Sequence, residues 1–283
     1  MNRLSIERRA QIIGCICEGM GIRATCRITG AAKGTVTRLV VEMGEAAEAY
    51  MSAAFQNLDV YRVEADEIWA FCSAKDKNVP EDRYDDPDYG SVWTWTAIDC
   101  ETKLMISWWV GERTIEDCYQ FLSDLKARVR VGNRIQLTTD GLGCYPPVVD
   151  SLWRNGIDYA QIIKEYSGGN EDHKYSPGAC TTIKKVLVCG DPDEDLVSTS
   201  YVERQNLTIR MHNRRFTRLT NAHSKKLANH AASVALMFAY YNLCRSHETL
   251  TKEYGRKTTP AMAAGVERAP WSITQLCELL ESN

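Results

Sequence analysis

Hydrophobic positions along the chain change their spacing twice, and each change predicts a different kind of structure. Over residues 6 to 18 apolar side chains recur at Ile6, Ile12, Ile13 and Ile16, as one face of a helix requires. Gly19 and Gly21 stop that helix, IRATCRIT forms a short second one ending at Gly30, and helical spacing resumes through Val36, Leu39, Val40 and Met43. Three short helices with glycine at the middle turn give a helix-turn-helix outline, with residues 33 to 43 as the recognition helix. Its early polar positions, Lys33, Thr35, Thr37 and Arg38, are placed to reach phosphates or base edges. A tri-helical packing module would show the same outline, and Gly34 weakens the helix. Alanine- and glutamate-rich sequence after Met43 predicts that the helix runs on as a connector to about Phe55.

From about Val60 the period falls to two. YRVEADEIWAF predicts a strand to Phe71, followed by an acidic, proline-containing loop and then by two strands, SVWTWTAID and KLMISWWV, separated by a turn at Cys100 to Thr102. ERTIEDCYQFLSDLKARV returns to helical spacing, IQLTTDG predicts a short strand stopping at Asp140, CYPPVVDSLWRN a helix, and IDYAQIIKE a further strand. Hairpin-linked strands followed by alternating helices and strands imply an α/β fold, a mixed sheet covered by flanking helices. Residues 164 to 200 break the rhythm with Gly, Pro, Asp and Ser, and predict an insertion or long loop with room for a hairpin around IKKVLVC. Beyond it TSYVERQNLTIRMHNRRFTR predicts a long helix capped by Ser200, three residues before Glu203, and SKKLANHAASVALMFAYYNLCRSH a second, largely buried one.

Composition narrows the class without deciding it. The chain has 283 residues, 44% of them hydrophobic and 25% charged, as in ordinary globular proteins. No apolar run approaches the length that spans a bilayer, and Glu7, Arg8 and Arg9 interrupt the start where a secretory signal would be apolar. A cytoplasmic, nucleoid-associated protein with no membrane partner is expected. The eleven cysteines lack zinc-site spacing and are expected to be free thiols. A net charge of -3 conceals a segregation. Acids dominate between Asp59 and Glu101, whereas eleven Arg or Lys between Arg204 and Lys257 face only Glu248 and Glu253. One metal-binding pole and one phosphate-binding flank would give this asymmetry.

Three carboxylates are the candidate chemistry. Asp66 lies within the first strand, Asp140 where the fourth gives way to Gly141, and Glu203 in the first turn of a helix. Two adjacent strand positions and one helix position can bring carboxylates together, and acids so crowded need divalent cations. Two Mg²⁺ or Mn²⁺ ions would neutralise them and suit phosphodiester chemistry. Glu67 rivals Asp66, but strand alternation allows only one of the two to reach the site. Asn206 and Arg210 share a helical face with Glu203: Asn206 is placed to meet substrate or orient a metal ligand, and Arg210 to hold a phosphate. Arg214 extends that face, while Arg215 and Arg218 widen the basic flank.

ADEIWAF, GERTIEDCYQFLSDL, TTDGLGCY and YVERQNLTIRMHNRRFTRLTNAHSKKLANHAASVALMFAYYN together resemble the InsB-type transposases of small bacterial insertion sequences, a group of DDE transposases. The resemblance covers roughly residues 60 to 145 and 198 to 245. It implies a ribonuclease-H-like catalytic domain over 51 to 250 with an insertion at 164 to 200, preceded by a helix-turn-helix domain at 1 to 50 and followed by a helical tail at 251 to 283. It implies that Asp66, Asp140 and Glu203 are the catalytic, metal-holding residues, with Arg210 near the DNA. It implies cleavage at transposon ends and strand transfer into target DNA, so the partners are double-stranded terminal inverted repeats and target, bound by a homodimer or higher assembly. Arg214, Arg215, Lys225 and Lys226 are then the phosphate contacts, and His247 is more simply structural. Two features depart from the family: the zinc-binding segment before the helix-turn-helix is missing, and the spacing from Asp140 to Glu203 is long. A domesticated transposase that only binds DNA, or a nuclease of the same fold, are the competing readings.

Overall fold

The computed structural model describes residues 4–166, 180–217 and 220–281. A six-stranded mixed sheet forms its centre, in the order β3-β2-β1-β4-β5-β6. β1 (Arg62–Cys72), β2 (Gly90–Asp99) and β3 (Met105–Gly111) are successive antiparallel neighbours, while β4 (Gln136–Asp140) runs parallel to β1, and β5 (Asp158–Tyr166) parallel to β4. A long acidic segment with two 3-10 turns joins β1 to β2, whereas β2 and β3 follow one another through a short connection. At the β2–β3 turn the Asp99 carboxylate accepts the Thr102 amide at 3.0 Å, and Lys103 takes a left-handed conformation, φ 62. The parallel strands need crossovers, supplied by α4 (Ile115–Arg128) and α5 (Tyr145–Trp153). α4 buries Cys118, Phe121, Leu122 and Leu125, the stripe that its sequence spacing marks. This is a ribonuclease-H-like fold.

Residues 164 to 200 are more regular than expected. β5 extends to Tyr166 and pairs antiparallel with β6 (Cys180–Cys189), which forms the sheet edge; residues 167 to 179 lie outside the described residues. The helix that follows, α6 (Ser200–His212), is shorter than predicted. Asn213 ends it, and its side chain accepts the Arg215 amide at 3.2 Å, turning the chain into a single 3-10 turn. Arg214 therefore does not continue the face of Glu203, Asn206 and Arg210, and Arg218 lies outside the described residues. α7 (Leu227–Ala239) also starts late: Lys225 and Lys226 precede it, and Asp88 accepts the Leu227 amide at 2.6 Å.

The helices of the N-terminal region are α1 (Ile6–Cys17), α2 (Ile22–Thr29) and α3 (Lys33–Ala54). Gly19 and Gly30 take positive φ, 81 and 67, so the glycines end their helices in the conformation that L side chains resist. α3 continues unbroken from Lys33 into the core, burying Val36, Leu39, Val40, Met43, Ala47 and Met51. It lies directly against α7: a Cβ on Gly44 would sit 2.1 Å from the Ala232 carbonyl oxygen. Hydrophobic packing is thus continuous from Ile12 to the sheet. After α8 (Glu248–Tyr254) and α9 (Pro260–Ala263), α10 (Ile273–Glu278) folds back beside α1, where the buried Arg9 pairs with Glu281. All eleven cysteines are free thiols, and no helix among the described residues is long and apolar enough to cross a membrane.

The two glycines of α3 make opposite predictions. Gly44→Ala forces the backbones of α3 and α7 apart and is expected to cost about 2 kcal/mol or more. Gly34, with open space around its Cβ position, is expected to gain roughly 0.5 kcal/mol on Gly34→Ala. Urea unfolding of both variants checks the pair, and equal effects would contradict the close crossing.

Candidate active site

β1 supplies three acids with three different surroundings. Glu64 and Asp66, two apart, point to the face covered by α6. Glu64 is 1% exposed, and its Oε2 accepts the Tyr201 and Val202 amides at 2.7 and 3.0 Å. Those are amides of the first turn of α6, whose N–H groups lack helical partners. A strand carboxylate thus caps the helix, in place of the Ser200 hydroxyl expected from sequence. Thr199 occupies the capping position but makes no side-chain cap; its hydroxyl donates to Glu203 Oε1 at 2.6 Å. One turn into the helix, Asn206 Nδ2 donates to Asp66 Oδ2 at 2.7 Å. α6 is therefore fastened to β1 at two successive positions of one strand face.

Asp140 joins Asp66 through strand register. The last β1–β4 pair is Ala65 with Thr139, so Asp66 and Asp140 come next on adjacent strands. Asp140 Oδ1 accepts the Leu142 amide at 3.0 Å, and Gln161 donates to the Asp140 carbonyl at 2.8 Å, which fixes the turn. Oxygens of Asp66, Glu67 and Asp140 lie within 4.8 Å of one another. This corrects the expectation that only one of Asp66 and Glu67 could come near. Glu67 does belong to the opposite face of β1, but β4 ends at Asp140, and the longer side chain brings its carboxylate beside the other two. There Arg113 Nε donates to Glu67 Oε1 at 2.8 Å, and the Tyr145 hydroxyl to Oε2 at 3.2 Å. Arg113 also stands 3.9 Å from Asp140 Oδ2 and lies over the Trp93 ring at 4.7 Å.

Glu203 is outside that cluster. Its carboxylate is paired with Lys164 of β5 and accepts from Thr199, although its charge still acts on Asp66. The structure thus brings Asp66, Asp140 and Asn206 together and places Glu203 beside them under a lysine. Burial pushes Asp66 up to about 7, and the charges of Glu67, Asp140 and Glu203 add to the rise. Glu67 is also raised, by burial and then by Asp140. The donors are hard oxygens, the type that Mg²⁺ and Mn²⁺ take. Asn206 Oδ1 is buried without a hydrogen-bond partner, a further acceptor at the same place. The residues present therefore fit divalent cations.

Glu64, Arg113, Tyr145 and Lys164 were not singled out from sequence. Glu64 and Lys164 carried a usable signal: Glu64 alternates with Asp66, and Lys164 follows Ala160 and Ile162 on one face of β5. At the start of α3, Lys33 and Arg38 are exposed, whereas Thr35 and Thr37 are half-buried. Arg210 is half-buried; Arg214, Lys225 and Lys226 are exposed. Arg215 is not a free surface charge, because its guanidinium donates to Ser224 Oγ at 2.9 Å. His247 is a helix-start residue whose amide donates to the Thr258 carbonyl at 2.9 Å.

The raised Asp66 predicts the pH dependence of the metal-free protein. A carboxyl group raised on folding contributes stability that is complete below its unfolded value, about 4, and lost as pH rises through about 7. In chelator, the melting temperature of the wild type should therefore fall more steeply between pH 5 and 8 than that of Asp66→Asn. Added Mg²⁺ should raise it more at pH 8 than at pH 6. Parallel curves for the two proteins would contradict this electrostatic picture.

No protein-family model matches the chain, and no curated protein matches it. Among solved structures the chain is similar to a cryo-EM structure of the piggyBac transposase synaptic complex with hairpin DNA, at 10% identity and a TM-score of 0.43, over 100% of this chain and 73% of that one. It is also similar to a pre-cleavage Mos1 transpososome, at 10% identity and a TM-score of 0.28, over 84% of this chain and 78% of that one. The Mos1 strand transfer complex gives 10% identity and a TM-score of 0.25, over 85% and 78%. Similarity of this degree leaves function to be read from the chain's own residues.

Proposed function

We propose that this chain is a DDE-type transposase that cleaves DNA at transposon ends and joins the freed 3′ ends to target DNA. The observation that carries the reading is the side-by-side placement of Asp66 and Asp140 on adjoining strands, with oxygens within 4.8 Å, beside a helix that presents Glu203 and Asn206. Asp66, Asp140 and Glu203 would hold two Mg²⁺ or Mn²⁺ ions, Glu203 leaving Lys164 to do so. Such ions activate a water or 3′-hydroxyl and stabilise the leaving oxygen of a phosphodiester. Asn206 orients Asp66 through its amide, while Arg113 and Tyr145 hold Glu67 beside the two aspartates. Arg210, on the same face of α6, is placed to hold a phosphate near the acids. Two ends must be joined in one event, so a homodimer or larger assembly on double-stranded DNA follows from the reading.

The Lys164–Glu203 pair favours one alternative, a domesticated protein in which a lysine has taken the place of metal and only DNA binding remains. One assay separates the two. With Mg²⁺ and DNA carrying the inverted repeats that flank the coding sequence, the wild type should nick at the repeat ends. Asp140→Asn should lose roughly a thousandfold or more in rate while still binding, as when one member of a catalytic unit is removed. Binding without cleavage by the wild type would establish the alternative; equal cleavage by both proteins would refute the assignment of Asp140.

A further inference from the structure

None of the eleven free cysteines enters the phosphodiester chemistry, and several are inert. Burial raises the thiols of Cys17, Cys72, Cys100, Cys244 and Cys277, which leaves little of the reactive thiolate. Cys118 and Cys144 differ. Cys118 belongs to the buried stripe of α4, at 0% exposure, and Cys144 is the half-buried residue from which α5 starts. The two helices pack on one another, and the two thiols share a hydrogen bond that Cys118 donates. That bond lowers Cys144, with its own backbone amide and Arg113 adding, against burial and Glu67. The same bond, followed by burial, raises Cys118. One thiol is thus reactive and partly open to solvent, and its partner is enclosed and already touches it.

The pair is mechanically joined to the acids. Tyr145, next to Cys144, is fully buried and donates to Glu67 Oε2 at 3.2 Å. Its amide donates to the Leu142 carbonyl at 3.3 Å, and the Leu142 amide donates to Asp140 Oδ1 at 3.0 Å. A displacement of Cys144 therefore reaches both Glu67 and Asp140 through a single short turn. An S–S bond of about 2.05 Å requires the sulfurs to close in from hydrogen-bond contact. The exposed flank of the helix pair is a groove of ≈ 350 Å³ lined by Ile115, Tyr119, Pro147 and Val148, so α4 and α5 have room to approach.

We propose that Cys118 and Cys144 are a redox-sensitive pair: a peroxide converts them to a disulfide that draws the start of α5 toward α4, shifts Tyr145 and the turn after Asp140, and so weakens cation binding at the acids. The Cys144 thiolate attacks one peroxide oxygen, the O–O bond breaks and hydroxide leaves, giving a sulfenic acid. The Cys118 thiol then attacks that sulfur, and the departing hydroxide takes the Cys118 proton as water. Two thiols lose two electrons and two protons, and one peroxide becomes two waters. A thiol reductant reverses the step. Formation of the disulfide is independent of the reading of the acids as metal ligands; its effect on Mn²⁺ or Mg²⁺ rests on that reading.

The test treats the full chain with dilute hydrogen peroxide in chelator, removes the peroxide, and maps cysteines by alkylation and peptide mass spectrometry. The wild type should show a Cys118–Cys144 cross-link that dithiothreitol reverses. Cys118→Ala, which lacks the resolving thiol, should instead carry Cys144 as sulfinic acid. Oxidation of the exposed Cys180 while Cys118 and Cys144 remain open to alkylation would overturn the pair. Mn²⁺ titration then reads the consequence. Oxidised wild type should bind about tenfold more weakly than reduced, the scale of loss when groups that orient metal ligands are disturbed, and Cys144→Ser should match the reduced wild type before and after peroxide. A cross-link that leaves Mn²⁺ affinity unchanged, or tightens it, would overturn the switch. A reduced wild type that binds no Mn²⁺ would instead refute the metal reading and the switch with it, with the cross-link still judged by mass.

Discussion

Mutual repulsion among carboxylates is the constraint around which the centre of this molecule is organised. Two unit charges about 5 Å apart repel by on the order of 3 kcal/mol even at an effective dielectric constant of 20, and Asp66, Glu67 and Asp140 approach within 4.8 Å of one another. A chain selected for stability alone would separate them. Here backbone register brings Asp66 and Asp140 to neighbouring strand positions, and Arg113 compensates Glu67 from the far face. Burial first, and then the charges of Glu67, Asp140 and Glu203, raise the Asp66 carboxyl group to about 7. The uncompensated charge is concentrated on the face that α6 covers.

β1 holds this arrangement in place. Glu64 fixes the start of α6, and Asp66 receives Asn206 from its next turn. Helix and strand therefore cannot slide past one another without leaving buried N–H groups unpaired, which is costly. Glu203, between these two fastenings, sits on a firmly placed backbone while its side chain is 46% exposed. A firm backbone and an accessible side chain allow the carboxylate to exchange the Lys164 ammonium for another cation without refolding. The contact of α3 with α7 at Gly44 ties the N-terminal helices to the same core.

Much of this was legible in the chain because it depends on local periodicity. The alternation in VEADEIWAF, the strand stop at Asp140 before glycine, and the helical face of Glu203, Asn206 and Arg210 all follow from spacing. What was missed depends on distant partners or on missing contrast. Glu64 caps a helix that starts more than 130 residues later, a relation that no local capping motif contains; Ser200 looked correct by sequence and is not the cap. Arg113 and Lys164 meet their acids on elements distant in sequence, Glu67 on β1 and Glu203 on α6. β6 was legible only as room for a hairpin around IKKVLVC, because nearly all its residues are exposed and neither face imposes an apolar register. The end of α6 at His212 turns on an asparagine side chain, whereas the helical pattern runs on through the arginines. Glu67 shows the limit of strand alternation: the rule gives the face correctly, but where a neighbouring strand ends, a long side chain reaches past the edge.

The central claim is that the carboxylates form a divalent-cation site, and direct metal binding tests it without requiring a DNA substrate. Titration of the metal-free protein with Mn²⁺, followed by the decline of its free-ion electron paramagnetic resonance signal, counts the ions bound. Two ions per chain are predicted for the wild type, with both weakened severely in Asp66→Asn. Failure to bind Mn²⁺, or binding that Asp66→Asn leaves untouched, would contradict the account.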